Sequence, residues 1–96
     1  MIQVNGESWR LDGPLTIATA TDALAEGDRS WPPAGWTIDL GGLDQVDSAA
    51  LSVLLTWQRR ADAESQRLRM VNLPDSLRSL ADVYGVQPMI TGATTQ

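Results

Sequence analysis

Ile38-Asp39-Leu40-Gly41-Gly42-Leu43-Asp44-Gln45-Val46-Asp47-Ser48-Ala49-Ala50-Leu51 is the stretch on which the fold turns. Thr37, Ile38 and Leu40 have the β-branched and apolar character of a core strand. Gly41 and Gly42 tolerate backbone angles that other residues resist, so the strand is expected to break off there in a turn. Asp47 or Ser48 then offers a side-chain oxygen to the unpaired amides of a helix expected to begin around Ala49. The small side chains of Ser48, Ala49 and Ala50 leave that helix end bare, so another molecule's backbone can approach it closely.

Downstream, the strongest helical pattern of the chain runs from about Ala49 to Ser65. Leu51, Leu54, Leu55, Gln58 and Asp62 follow one stripe, and Ala50, Val53, Leu54, Trp57 and Ala61 follow its neighbour. Together they form an apolar face wider than a single sheet contact requires. Residues 67–73 then alternate as a strand with Leu68, Met70 and Asn72 inward. Pro74-Asp75-Ser76 opens a last helix whose buried stripe is Leu77, Leu80, Ala81 and Tyr84, stopped by Gly85. Met89 and Ile90 either add a short strand or pack down, and residues 91–96 read as a frayed tail.

Upstream, Ile2 to Val4 and Ser8 to Leu11 are short strands about the hairpin signal Asn5-Gly6, and Asp12-Gly13-Pro14 is expected to end the second. Leu15 to Leu24 suits a short helix with Thr16 as N-cap, ended by Glu26-Gly27-Asp28. Two prolines and a glycine make residues 29–35 a surface loop, with Trp31 folding back as a lid on the core. The order ββαβαβα predicts an α/β domain. Its sheet is mixed but mostly parallel, with four to five strands, an N-terminal hairpin and three helices.

Composition narrows the function. The chain has 96 residues, 43% of them hydrophobic, which suits one folded domain spanning 1–96. With Asp+Glu 12 against Lys+Arg 7 the net charge is −5, and no basic patch is available to neutralise phosphates, so nucleic-acid binding is not expected. Cys 0 and His 0 remove thiolate chemistry, the usual general base and the commonest metal ligands. Asp39, Asp44 and Asp47 read better as a strand end, a loop residue and a cap than as a metal or acid–base site. The glycine pair lacks the spacing and the lysine of a P-loop. No catalysis, metal or cofactor is therefore expected. The N-terminus has no basic segment leading into an apolar run, and no apolar stretch approaches the roughly 20 residues that cross a bilayer. The expected compartment is the cytoplasm, with membrane association only through a partner.

Three motifs in order resemble the STAS domain family, which includes bacterial anti-anti-sigma factors, the cytoplasmic tails of sulfate transporters and the MlaB subunit of the Mla phospholipid transporter. Leu11-Asp12-Gly13-Pro14-Leu15-Thr16 resembles the family's first-strand exit. Ile38-Asp39-Leu40 followed by Val46-Asp47-Ser48-Ala49-Ala50-Leu51 resembles its strand–loop–helix signature. Residues 73–85, from Leu73-Pro74-Asp75 to Val83-Tyr84-Gly85, are similar to the last helix of MlaB-type members. The sequence departs from the anti-anti-sigma pattern at Ala49, which stands where those proteins carry the phosphorylated serine. Ser48 matches the Ser/Thr that MlaB-type proteins carry after the aspartate.

The resemblance implies a non-catalytic subunit that binds an MlaF-like ATPase of an ABC-type phospholipid transporter. It implies docking through Asp44, Val46, Asp47, Ser48, Ala49, Ala50 and Leu51. For Leu54 and Trp57 two readings stand: core packing, or an apolar extension of that surface. The alternative function is an anti-anti-sigma-like regulator switched by serine phosphorylation, with Ser48 as the phosphosite.

Overall fold

A computed structural model describes residues 1–33 and 35–91, the last by its backbone alone. Residues 92–96, most of the expected tail, lie outside the described part. The elements in chain order are β1 (Ile2–Asn5), β2 (Ser8–Leu15), α1 (Ala20–Ser30), β3 (Trp36–Val46), α2 (Ser48–Ala63), β4 (Leu68–Val71), α3 (Asp75–Val83) and α4 (Gln87–Thr91). The architecture is the expected α/β one with a fourth, short helix, so Ile90 packs down in a helix and Thr91 ends it.

The sheet order is β1-β2-β3-β4, with β1 antiparallel to β2 and the other pairs parallel. Asn5 faces Ser8 across a two-residue turn, and Gly6 takes the positive φ of +63° that such a turn needs. Alternation sends Trp9, Leu11, Ile38, Leu40, Leu68 and Met70 into the core. The opposite face is polar: Asp39 accepts from Arg10 (3.3 Å), Asn72 (3.2 Å) and the Gly41 amide (2.8 Å). Those donors, the Gly41 amide foremost, hold the Asp39 carboxyl below its ordinary value of 3.8. Asn72 is therefore exposed, with φ +58°, and not inward as the alternation predicts.

Two expected strand ends are strand interiors. β2 continues through Asp12-Gly13-Pro14 because β1 stops opposite Leu11, leaving a free edge where Pro14 lacks no partner. β3 continues through Gly41 and Gly42 because β2 and β3 slip register there. A side chain on Gly42 would run into the Asp12 carboxylate and, at 2.6 Å, the Leu11 carbonyl. The glycines serve close approach, not a turn.

α1 also departs from expectation. It starts at Ala20, its N-cap is Thr19 rather than Thr16, and it runs through Gly27 to Ser30. Gly27 stays helical because it faces Trp57 of α2. Trp31 does close over the core, meeting Trp36 at 4.7 Å and Trp9 at 6.1 Å between ring centroids. Its Nε1 donates to Glu64 (3.2 Å) and Gln66 (3.1 Å), and the Arg60 guanidinium lies 4.1 Å over its ring. α3 ends as the sequence predicts: Gly85 takes φ +69°, and the Val86 amide donates back to Ala81 at 2.9 Å.

Candidate functional site

Asp47 leaves β3 in an extended conformation, and its Oδ1 accepts from the Ala49 amide at 2.8 Å, capping α2. Its Oδ2 accepts from the Ile17 amide at 3.0 Å. One carboxylate thus ties the β2–α1 turn to the start of α2. Because Asp47 is the cap, Ser48 is not: it is the first helical residue, exposed, and its hydroxyl makes no hydrogen bond among the described residues.

Ser48 stands at one end of an open groove of about 820 Å³. α2 forms the floor with Ser48, Leu51, Ser52, Leu55 and Thr56. Ile17, Ala20 and Leu24 form one wall, and Tyr84 and Val86 the other. Ile17 is 79% exposed and Tyr84 58%, so the lips present apolar and aromatic surface above a floor in which leucines alternate with hydroxyls. Asp47 is the single charged residue of the lining, and no arginine reaches it. Small hydroxyl residues at Ser48, Ser52 and Thr56 mark one row of α2.

The expected docking residues divide. Asp47, Ser48, Ala49 and Leu51 line the groove. Asp44 is exposed, and Val46 is half-buried opposite Leu15, both outside the lining. Ala50, Leu54 and Trp57 are buried on the core side of α2. The contact reading of Leu54 and Trp57 is therefore corrected to core packing. Trp57 lies beneath Gly27 and edge-on to Trp9 at 5.4 Å, closed off from any partner while the domain is folded.

Tyr84 is corrected in the other direction, from buried stripe to groove wall. Ile17, Leu24, Ser52, Thr56 and Val86 join the site without having been expected there. The one signal for them in the sequence was the surplus apolar width of α2.

Chemically the groove offers an apolar surface, a free hydroxyl and a helix start whose cap is already filled. Among the described residues no three His, Cys, Asp or Glu side chains cluster as metal ligands would. No helix among them is long and apolar enough to cross a membrane.

A family model described as Mlab, STAS domain matches residues 3–91. Among solved structures the chain is similar to the anti-sigma factor antagonist SpoIIAA in its unphosphorylated form. The TM-score is 0.72 at 16% identity, covering 93% of this chain and 83% of that one. It is also similar to two structures of Mglu, with TM-scores of 0.60 and 0.53 and identities of 16% and 18%. Those alignments cover 78% and 74% of this chain but 19% and 22% of Mglu. At such identities the likeness speaks for the fold alone. No curated protein sequence matches the chain.

Proposed function

Since the chain belongs to the STAS-domain family of the Mlab type, we propose that it is the regulatory partner of the ATPase of an ABC-type phospholipid transporter, docking through the groove at the start of α2. The observation that carries the reading is the uncovered floor of α2 between apolar lips at Ile17 and Tyr84. Apolar surface gathered in one concave place is what a protein partner buries. The protein performs no chemistry in this reading. Binding that favours one conformation of the ATPase shifts its population toward the assembled form. The domain then resides in the cytoplasm, held at the inner membrane by its partner, and serves outer-membrane lipid asymmetry.

The test is co-purification with the MlaF-type ATPase of the same cells. Ser48→Arg puts a long cation on the groove floor at an exposed site, so it should abolish capture while the thermal transition stays cooperative and unmoved. Undiminished capture by that variant would remove the reading.

One observation favours the anti-anti-sigma alternative: the Ser48 hydroxyl is exposed and unengaged among the described residues, at a helix start where a phosphate dianion is electrostatically welcome. Mass spectrometry of the native protein decides between the two, since an unmodified Ser48 under all growth conditions excludes the switch.

A further inference from the structure

The turn of residues 16–19 between β2 and α1 leaves none of its amides to solvent. The Thr16 amide donates to Thr19 Oγ1 (3.0 Å) and the Ala18 amide to Thr16 Oγ1 (3.3 Å). The amides of Thr19 and Ala20 donate to the Thr16 carbonyl, at 3.0 and 2.9 Å. The Thr19 hydroxyl donates in turn to the Pro14 carbonyl at 3.1 Å. The remaining amide, that of Ile17, goes to Asp47, 30 residues along the chain. This frame holds an isoleucine 79% exposed at the lip of the groove. A backbone ordered before the encounter forgoes the main-chain part of the entropy cost that binding otherwise exacts. Because the same Asp47 carboxylate caps α2, Ile17 is fixed relative to Ser48 and not merely near it.

We infer that Ile17 is the apolar anchor of the docking face and Asp47 the positioning residue that sets it in register with Ser48. This rests on the docking reading above. It also defines the partner's complementary surface: an apolar pocket for Ile17 with no acidic group beside it. The lining carries no arginine to meet an acid, both oxygens of its one carboxylate are occupied, and the chain as a whole carries −5.

Calorimetric titration of the purified MlaF-type ATPase with wild type, Ile17→Ala, Asp47→Asn and the double variant tests the inference. Ile17→Ala should weaken binding about tenfold or more, the scale of an anchor residue. Asp47→Asn leaves one acceptor oxygen, and because asparagine is a good helix cap that oxygen stays on the Ala49 amide, so the Ile17 amide loses its partner and binding weakens. The double variant should lose clearly less than the sum of the two, because both changes remove the same contact. In the free Asp47→Asn domain the Ile17 amide should exchange faster with solvent while the amides of β3 stay protected, which a general loss of stability would not produce. Wild-type-like binding by Ile17→Ala, or full additivity of the two changes, overturns the anchor and leaves the docking reading standing. Failure of the wild-type protein to bind the ATPase overturns that underlying reading and the anchor with it.

Discussion

Replacing Gly27 by alanine should destabilise this domain, against the usual direction of such a change inside a helix. Helical propensity alone favours the replacement by about 1 kcal/mol. The structure opposes it more strongly. A methyl group on Gly27 would sit 2.8 Å from Trp57 Nε1, 2.9 Å from Cζ2 and 3.0 Å from Cε2, inside ordinary contact distance for all three. Trp57 has nowhere to retreat: it is 2% exposed and packs edge-on to Trp9. Overpacking of this kind costs about 1–3 kcal/mol, and the rigid indole argues for the upper half. The net effect is a loss of about 1–2 kcal/mol, a fall in Tm of roughly 5–15 °C for a domain of this size. Scanning calorimetry and urea unfolding of the wild type and Gly27→Ala measure it directly. The mechanism has its own control in Trp57→Leu, whose side chain ends short of the three atoms the methyl would strike. In that background Gly27→Ala should be neutral or stabilising. A Tm for Gly27→Ala at or above wild type, or an equal loss in both backgrounds, would refute the packing argument.

Further predictions concern charge and partner binding. Asp39 titrates below its ordinary value in the folded state, so its contribution to stability is full above pH 3.8 and is lost as the pH falls through the lower folded value. Asp39→Asn should therefore flatten the acid limb of the stability curve below about that pH, read as urea midpoints across the acid range. Arg60 pairs with Asp28 and Glu64, each at 2.9 Å, while stacking on Trp31, but it is part-exposed. Arg60→Ala should thus cost only about 0.5–1 kcal/mol, with part of the loss erased in 1 M salt, where surface ion pairs are screened. The Ser48→Arg and Ile17→Ala comparisons given above complete the set, the first reading docking and the second its anchor.

The elements that could be read from the sequence are those whose signals are local. Asn5-Gly6 makes a hairpin and Gly85 stops a helix in nearly any surroundings, and the period of residues 49–63 admits only a helix. The errors came where a distant residue decides. Gly41 and Gly42 look like a turn, but their use is set by the register of β2 against β3, and Pro14 is tolerated because β1 happens to stop short. Gly27 looks like a helix end, but Trp57 demands it.

The site was half legible for a similar reason. Periodicity shows that α2 has an apolar face too wide for one contact, but it does not say which part of that face the chain itself covers. Leu51, Leu54 and Trp57 lie on the covered part, and Leu55, beside Ser52 and Thr56, on the open one. Ile17 left no local trace, because the carboxylate that holds it lies 30 residues away.

All four indoles of the protein belong to one cluster, Trp9 touching Trp31, Trp36 and Trp57, and none of them lines the groove. The molecule's intrinsic light is therefore gathered at one site, which reports whether the core is assembled, while the surface on which a partner would land is optically silent save for Tyr84. Watching that landing calls for a dye or an isotope placed on the groove itself.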